Sequence, residues 1–413
     1  MHFLSGALIT PIWIMFPFGL AFILPFLTEF NKIFSVKYLC FLISISFGLV
    51  AYTVVSNGEI ETDMMRYYDI YSYYGHLTSF QEFLLAILIE GDLNFLFQFV
   101  TFFLSRIFPD NSQCFALFWV SLTYFVGFLM CIELNEYYLK VKNRANVLSL
   151  LITAMVFGVM SFYTITELVK QSVAVCVFGY ALARRINEKK HVRLLIIASI
   201  LLHFSTFFLL PVYIFINKNI SRNRVFIIFT ICFILSFVNV VQLAYFISQI
   251  VPLPGNLRDK ILMYTEIENW EYAKRYHILL AVYGFICGLV YIDVYNKKKE
   301  GNININYLFN VLFISFCYIL INVSNLYNYI RYTLTYFPFY LFGIFGILNS
   351  SFNKYSKVVA YSILCLFYCY ATTSMLYFRT QEGGNYSNSY MDNSFVKLIS
   401  SSVFGYLNYR IIR

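Results

Sequence analysis

The chain has 413 residues, of which 60% are hydrophobic, 21% aromatic and only 12% charged, and its mean hydropathy is +0.68. A water-soluble globular domain cannot carry this composition, because too few polar side chains remain to cover its surface. The net charge of +9 is dispersed over short segments between apolar runs. This argues against nucleic acid as a partner and is typical of the positive-inside bias of a multi-pass membrane protein.

Apolar runs along the chain predict membrane-spanning helices, at roughly 20 residues per span. About twelve runs qualify, at 3–27, 37–55, 93–108, 114–132, 147–163, 172–183, 194–216, 225–247, 278–295, 307–323, 334–348 and 358–377. A shorter run at 83–89 is typical of a half-helix or an interfacial helix. Because a helix satisfies its own backbone hydrogen bonds in lipid, the sequence predicts one all-α membrane domain over residues 1–413. No removable signal peptide is expected.

Basic residues between the runs predict which segments face the cytoplasm. The clusters are Lys140, Lys142 and Arg144; Arg184, Arg185, Lys189, Lys190 and Arg193; Lys297, Lys298 and Lys299; and Lys354 and Lys357. The segments at 164–171, 248–277 and 324–331 then face outward. This assignment conflicts with strict alternation of sides in two places. One run separates the 184–193 cluster from the basic residues at 218–224, although both are expected in the cytoplasm. Three runs separate the 56–80 segment from Glu167, although both are expected outside. We therefore expect the runs around His203 and around Phe83 to be broken or re-entrant.

A polar, tyrosine-rich insert at 56–80 interrupts the apolar pattern. Three of its charged residues, Asp63, Arg66 and Asp69, are three apart, which on a helix predicts one face, with Tyr67, Tyr71 and Tyr74 on or near the same surface. Carboxylates can orient sugar hydroxyls, a guanidinium can hold a phosphate, and rings can stack on sugars. The alternative is an interfacial helix whose tyrosines lie among lipid headgroups.

Two further segments place polar groups at the ends of apolar runs. The segment at 164–171 opens a predicted span with Glu167 and Lys170 three residues apart, followed by Gln171, which indicates either a site or an ordinary local ion pair. His203 lies inside an apolar run, with Pro211 predicted to break that helix. A neutral imidazole there can accept a proton or hold a hydroxyl, or it can be a packing residue with a satisfied hydrogen bond.

The predicted outer segments in the second half of the chain also hold basic and aromatic residues. The long loop at 248–277 combines Arg275 and other basic residues with Trp270, which suits a lipid-linked diphosphate with an attached sugar, or lipid headgroups. Further on, three asparagines precede Arg331 and Tyr332 at helix-like spacing. Lipid would not accept such a polar face, so we expect these residues to form part of a site.

Several chemistries have no motif in the sequence. It contains no glycine-rich phosphate loop, nucleotide fingerprint, DxD-type pair of acids, nucleophile elbow or His/Cys cluster. Its nine cysteines lie mostly inside apolar runs and predict no disulfide framework. The sequence therefore predicts no use of ATP, no metal site and no cofactor.

The order of these motifs resembles the EpsG/Wzy family of surface-polysaccharide polymerases. The resemblance covers roughly residues 50–345 and rests on Thr62, Asp63, Arg66, Tyr67, Asp69 and Tyr71, then Lys170 and Gln171, then His203, Ser205 and Pro211, and last Arg331 and Tyr332. The chain departs from the family at Lys170, where Arg is common. Lysine keeps the charge and loses bidentate phosphate recognition.

The resemblance implies a metal-independent glycosyltransferase of the bacterial inner membrane, with a fold similar to that of other lipid-dependent (GT-C-like) glycosyltransferases. Its donor would be a growing glycan on undecaprenyl diphosphate, and its acceptor one lipid-linked repeat unit of an O-antigen, as in lipopolysaccharide, or of a related surface glycan. Membrane lipid and a chain-length regulator protein are further expected partners.

Such a reaction needs a base and cations that stabilise the departing diphosphate. Asp63 is the preferred base, with Glu167 and His203 as rivals. The expected substrate-binding residues are Arg66, Tyr67, Asp69, Tyr71, Lys170, Gln171, Arg275, Arg331 and Tyr332, of which the four cations are the candidate diphosphate ligands. A flippase for lipid-linked oligosaccharide and a ligase for finished glycan are the alternatives. The lack of an internal repeat argues against the flippase.

Overall fold

A computed structural model describes residues 2–28, 35–54, 63–90, 93–142, 147–156, 162–218, 220–238, 240–250, 273–299, 306–350 and 399–408, with a few positions between 352 and 362. Every secondary-structure element in these ranges is helical. Contacts divide the chain into two compact units. Unit 1 comprises Met1–Thr206 and Ile363–Arg413, and unit 2 comprises Phe207–Ser362. The single membrane domain expected over residues 1–413 remains a prediction.

The helices within these ranges, in chain order, are as follows. The first twelve are α1 (His2–Met15), α2 (Pro17–Ala21), α3 (Leu24–Leu27), α4 (Val36–Tyr52), α5 (Asp63–His76), α6 (Phe80–Glu90), α7 (Phe95–Ile107), α8 (Gln113–Lys142), α9 (Leu148–Ala154), α10 (Phe162–Glu167), α11 (Val169–Ile186) and α12 (Val192–Leu202). After a 3₁₀-helix (Phe204–Leu209) come α13 (Leu210–Phe215), α14 (Arg222–Leu235), α15 (Val240–Ile250), α16 (Ala273–Lys299), α17 (Asn306–Ile321), α18 (Leu326–Thr335), α19 (Phe337–Asn349) and α20 (Val403–Leu407).

Two of the described helices are long and apolar enough to cross a membrane, at Gln113–Lys140 and His277–Asn296. Shorter apolar helices of 10–17 residues are Val36–Tyr52, Phe80–Ile89, Phe95–Ile107, Val192–Leu202, Phe204–Phe215, Tyr307–Ile321 and Pro338–Leu348. The predicted all-α class is confirmed for this part of the chain. The count of about 12 spans and the likeness to lipid-dependent glycosyltransferases remain predictions.

Several predicted spans are not continuous helices. The run at 3–27 is divided into three helices, and Pro17 and Pro25 lie in the first turns of α2 and α3. Proline fits a first turn because it has no N–H to lose there, and it cannot continue a preceding helix. The run at 225–247 is divided between α14 and α15, so the prediction of one span there is wrong. The predicted span at 358–377 lies almost entirely outside the described residues.

The break predicted around His203 is confirmed, but at a different residue. Helix α12 ends at Leu202, and the backbone of His203 is extended, with φ −155° and ψ 118°. Pro211 lies in the first turn of α13, where it starts a helix instead of breaking one. The chain therefore changes direction at the histidine itself.

Helices α4 and α8 lie against each other at the centre of unit 1. Gly48 permits the close approach, because an added Cβ would lie 2.6 Å from the carbonyl oxygen of Leu117. At one end of this helix pair, the Gln113 amide donates to the carbonyl of Tyr52 over 2.6 Å, and the Asn111 amide donates to the Tyr52 hydroxyl over 2.8 Å. The last turn of α4 therefore lies beside the first turn of α8.

The contact of Tyr52 with Gln113 limits the path of the chain between α4 and α8. The segment leaves α4 and returns to α8 at the same end of the pair, so a single crossing by the run at 93–108 is incompatible with the structure. Helices α6 and α7 have 11 and 13 residues, which at 1.5 Å per residue gives about 17 and 20 Å. A hydrocarbon core is about 30 Å thick, so neither helix is long enough to cross it. Without a crossing at 93–108, two predicted spans and not three separate the insert from Glu167, so both can lie on the same side of the membrane.

At the other end of unit 1, α8 is tied to the turn that follows α11. The Lys189 ammonium lies 3.0 Å from the Glu133 carboxylate and also pairs with Glu136, and the Asn187 amide donates to the Glu133 carbonyl over 2.7 Å. Burial alone would lower the pKa of Lys189, but the hydrogen bonds to Glu136 and Glu133 raise it.

Near its start α11 places Lys170 over Tyr67, which stacks on Phe115 at the start of α8. Because the turn after α11 contacts Glu133 in the second half of α8, the two helices run in the same direction.

Unit 1 therefore has two distinct ends. We call the one with Tyr52, Gln113 and the first turn of α11 the α5 end, and the one with Glu133 and Lys189 the Lys189 end.

Candidate functional site

The insert forms helix α5 as predicted, but its tyrosines and charges lie on different faces. Arg66 and Asp69 are exposed, and Asp63 is half-buried. Tyr71 and Tyr74, with Met64 and Tyr68, are fully buried. The expectation that Tyr71 and Tyr74 share the charged surface is therefore wrong. At 100° per residue these two rings lie on the side of the helix that packs against the bundle.

Tyr71 is held by the end of α7. Its hydroxyl lies 3.0 Å from the carbonyl oxygen of Leu104 and 3.1 Å from that of Phe108. Both carbonyls are at the C-terminal end of α7, where they also accept the backbone N–H groups of Phe108 and Asn111. Burial raises the pKa of Tyr71 above its usual value, so the phenol stays a neutral donor. A substrate-binding role for Tyr71 stays a prediction, and its contacts give it a structural one.

Tyr67, one turn earlier on α5, contacts a residue more than a hundred positions away. The Lys170 ammonium lies 5.3 Å from the centre of the Tyr67 ring and 5.7 Å from that of Phe97 on α7. A cation over two ring faces is attracted by their negative quadrupoles. The structure thus brings together the two segments in which the sequence analysis placed the first half of the site.

The rings beneath Lys170 are fixed by a larger aromatic stack. Tyr67 stacks on Phe115 with 5.2 Å between ring centres, and Phe97 stacks on Trp119 at 4.3 Å. The Trp119 indole N–H donates to the Thr101 hydroxyl over 3.1 Å. Phe97 could not be predicted from the sequence, because nothing distinguishes a phenylalanine at a site from a core phenylalanine within an apolar run.

Glu167 and Lys170 do not share a helix. Glu167 is the last residue of α10, and α11 starts at Val169 after Leu168, whose ψ of 48° is not helical. The expectation that both open one span is therefore wrong. The break leaves Glu167 half-buried at the end of a short helix that contacts α5. Gln171 is buried in the first turn of α11.

Asp63 and Arg66 form an ion pair in the first turn of α5. The guanidinium Nη1 lies 3.5 Å from the carboxylate Oδ1, and the two side chains are 55% and 27% exposed. A pair this accessible contributes little stability, about 1 kcal/mol or less. Its position beside Tyr67 is the more informative property, because it places a carboxylate and a guanidinium one turn from the Lys170 contact.

His203 occupies the break after α12 with a defined ring orientation. The Ser205 backbone N–H lies 3.2 Å from Nδ1, and the Ser205 hydroxyl lies 2.6 Å from the same atom. Because a backbone N–H can only donate, Nδ1 accepts, and the proton of the neutral ring lies on Nε2. The next residue, Phe204, donates its backbone N–H to the Asn94 side chain over 3.0 Å.

The start of α7 thus connects the candidate residues of unit 1. Asn94, which precedes its first turn, holds the backbone after His203, and Phe97 within that turn contacts both Tyr67 and Lys170. Asn94 is an expected type of residue before a helix. Its oxygen nevertheless bonds to a distant backbone N–H and does not cap α7, which no local pattern indicates.

The remaining candidates lie in unit 2. Arg331 is half-buried on α18, and the Tyr332 ring is buried, 5.0 Å from the ring centre of Tyr318. The His277 Nδ1 lies 3.1 Å from the Tyr329 hydroxyl. This contact places the first turn of α16, which contains Arg275, beside the helix that carries Arg331. Both ends of the predicted 248–277 loop are helical, and 251–272 lies outside the described residues.

Among the described residues, no group of three or more His, Cys, Asp or Glu side chains is placed to hold a metal ion.

These features define the class of the protein. An apolar chain whose described elements are all helices, with charged and aromatic side chains at one end of a helical bundle, is an integral membrane protein. A family model described as the EpsG family matches residues 37–390, and the chain belongs to that family. The family includes Wzy-like polymerases, so membership indicates a role of the polysaccharide-polymerase type. No curated protein and no solved structure matches the chain.

Proposed function

We propose that this protein joins oligosaccharide repeat units carried on undecaprenyl diphosphate into a surface polysaccharide, at the outer face of the bacterial inner membrane. The observation that carries the proposal is the placement of Lys170 over Tyr67, one turn from the Asp63 and Arg66 pair, in a chain of the EpsG family. This places a carboxylate, cations and ring faces in one neighbourhood.

The reaction has three requirements. The acceptor hydroxyl oxygen attacks the anomeric carbon of the donor glycan, the bond from that carbon to the diphosphate oxygen breaks, and the lipid diphosphate leaves. The hydroxyl proton passes to a base, which in general contributes about 10² to 10⁴ in rate. Cations near the departing diphosphate stabilise its developing negative charge. Ring faces can hold the sugars between these groups.

Among the three candidate bases, the geometry favours a carboxylate. The Nδ1 atom of His203 already accepts a backbone N–H, and its Nε2 carries the proton when the ring is neutral, so neither nitrogen is ready to take another. Asp63 is half-buried beside the Lys170 contact, and Glu167 lies on a helix that contacts α5. We assign the base to Asp63 and keep Glu167 as the second candidate.

Lys170 and Arg66 are the proposed diphosphate ligands of unit 1. Lys170 acts as a point charge, since an ammonium cannot form the bidentate contact that a guanidinium makes with phosphate. Asp69 and Gln171 are proposed to bind sugar hydroxyls. Arg275, Arg331 and Tyr332 of unit 2 are proposed as the other substrate ligands.

The two ends of unit 1 support an outward-facing site. The Lys189 end carries the clustered basic residues at 184–193, which mark a cytoplasmic face. From Gln113 at the α5 end to Glu133 at the Lys189 end, helix α8 rises about 30 Å, the thickness of a hydrocarbon core. Cysteine substitution at Tyr73 and at Lys190, both exposed, tests this with an impermeant thiol reagent on intact cells. Labelling at 190, or protection at 73, contradicts the orientation.

A deletion strain tests the activity itself. Loss of a polymerase leaves surface glycan of one repeat unit, which the returned gene restores to a ladder of lengths. Loss of a ligase leaves no glycan on the acceptor core, and loss of a flippase leaves lipid-linked units on the cytoplasmic side. Either of the last two patterns contradicts the proposed function.

A further inference from the structure

A cavity of about 580 Å³ lies in unit 2 among α13, α14 and α17. Its wall is mostly apolar and includes Phe208, Pro211, Phe215, Ile228, Ile314 and Tyr318. Two basic side chains, Lys218 and Arg224, line it as well. This volume is typical of a small-molecule site, and none of the residues assigned to the polymerase reaction lines it.

The two cations are at one end of the cavity. The Asn310 amide donates to the carbonyl oxygens of Ile216 and Lys218 over 3.0 and 2.7 Å, so the start of α17 lies beside Lys218. Eight residues along α17, Tyr318 stacks on Phe208 with 6.4 Å between ring centres. The wall along α17 therefore runs from a basic end to an aromatic end.

The basic end is held by hydrogen bonds. Asn310 is 1% exposed, and its amide also donates to the carbonyl of Phe215 over 3.0 Å, which fixes the turn that presents Lys218. Ser221 caps α14 by accepting the Arg224 backbone N–H over 3.4 Å. Both basic residues thus lie on short segments with a fixed backbone.

The cavity is next to an apolar surface. Phe208 and Phe215, which line the cavity, are themselves exposed, and in a membrane protein exposed apolar side chains contact lipid chains. A ligand in the bilayer can therefore reach the cavity without entering water. Lys218, Arg222 and Arg224 form a basic cluster of the kind that marks the cytoplasmic side, and basic pockets between helices on that side bind anionic headgroups.

We infer that this cavity binds one anionic phospholipid of the cytoplasmic leaflet, with its phosphate between Lys218 and Arg224 and an acyl chain along Ile314 and Tyr318. A polyprenyl phosphate has the same chemistry of one apolar chain and one anionic head. The phospholipid is favoured because the basic cluster faces the cytoplasm, whereas the proposed glycosyl transfer occurs on the outer face.

Native mass spectrometry of the purified, delipidated full-length protein tests the site. The protein is titrated with phosphatidylglycerol, with phosphatidylcholine and with undecaprenyl phosphate. Phosphatidylglycerol is expected to bind most tightly. The double variant Lys218→Gln/Arg224→Gln should bind it about 25-fold more weakly, since each cation at an anionic headgroup contributes roughly fivefold. Lys190→Gln/Arg193→Gln removes two exposed charges elsewhere and should leave the affinity unchanged.

A second pair of variants tests the apolar part of the cavity and remains informative if the double variant does not fold. Ile314→Trp fills the cavity with both cations in place and is expected to abolish tight binding. Gly288→Leu fills a separate groove of about 320 Å³ on α14 and α16, where an added Cβ meets nothing within 4 Å, and should have no effect. Equal binding of both phospholipids, unchanged affinity in Ile314→Trp, or tighter binding of undecaprenyl phosphate would overturn the inference.

Discussion

The two ends of the α5 and α7 pair each place a cation beside aromatic rings, and they use it differently. At the C-terminal end, Arg106 on α7 lies 5.7 Å from the Phe102 ring centre and donates to the carbonyl oxygens of Gly75 and Leu77 over 3.2 and 2.6 Å. At the N-terminal end, Lys170 lies over Tyr67 and Phe97. Both ends therefore join α5 to α7 through a positive charge.

The difference lies in what each contact demands of the cation. A carbonyl oxygen accepts a particular N–H, so Arg106 is fixed in direction and holds the turn after α5. A ring face attracts the charge as a whole and does not select one N–H. The contact with the rings therefore depends on the positive charge of Lys170, which is also the property that a departing diphosphate requires. The Arg106 end of the pair is therefore structural, and the Lys170 end is suited to binding.

The largest effect is expected at Asp63. Asp63→Asn keeps the shape of the side chain and removes its ability to accept a proton, so elongation should fall by at least about 100-fold. The measurement is the glycan ladder, together with elongation by the purified protein. Asp110→Asn changes an exposed carboxylate in the turn before α8 and should not alter the rate. A normal ladder from Asp63→Asn would transfer the role of base to Glu167.

Substitution of Lys170 is the next test. Lys170→Met keeps an apolar stem over Tyr67 and removes the charge, so the elongation rate should fall about 100-fold if the ammonium stabilises the departing diphosphate. Lys170→Arg keeps the charge and adds bidentate donors, and should retain most of the activity. Lys190→Met at the Lys189 end is the matched control. An equal loss in the Arg and Met variants would indicate a packing role instead.

Arg106 should affect stability and not chemistry. Arg106→Met removes the hydrogen bonds to the turn after α5 and should lower the free energy of unfolding by about 1.5 kcal/mol, a typical value for bonds from a charged donor. Thermal unfolding of the purified protein measures this change, and the rate per folded molecule should stay near that of the wild type. A large loss of rate without a loss of stability would contradict the structural role.

Two tyrosines of α5 test the same difference, with Tyr71 at the structural end of the pair and Tyr67 at the end suited to binding. Tyr71→Phe removes the hydroxyl that donates to the C-terminal end of α7 and should reduce stability by about 1 kcal/mol. Tyr67→Phe keeps the ring face under Lys170, so the rate should change little. Tyr67→Leu removes that face and should reduce the rate. If Tyr67→Phe is as damaging as Tyr67→Leu, the Tyr67 hydroxyl and not its ring is the functional group.

Chelation is expected to have the smallest effect. The proposed reaction stabilises the diphosphate with side-chain cations, so elongation by the purified protein should continue in excess chelator. Loss of activity that is restored by added Mg²⁺ would show that a divalent ion shares this role.

Much of the local structure was predictable from the sequence. The polar insert forms a helix over Asp63–His76, which contains no proline, because Met64, Tyr68, Tyr71 and Tyr74 recur at helical spacing and bury one face. The order of charged motifs indicated the EpsG family, which the family model confirms. The division of apolar runs into spans was less accurate. Run length does not reveal whether a proline starts a new helix, as at Pro17 and Pro25, or whether the chain bends before one, as at His203.

Composition and spacing determined that this is a helical membrane protein with charged residues that lipid alone would not accept, because those properties depend on residues close together in the chain. Tertiary structure decided which of these residues meet. Lys170 rests on Tyr67 and Phe97 only because α5, α7 and α11 are brought to one end of unit 1, where Gln113 returns the chain to Tyr52. Such contacts follow from how the helices pack against one another, which no local periodicity records.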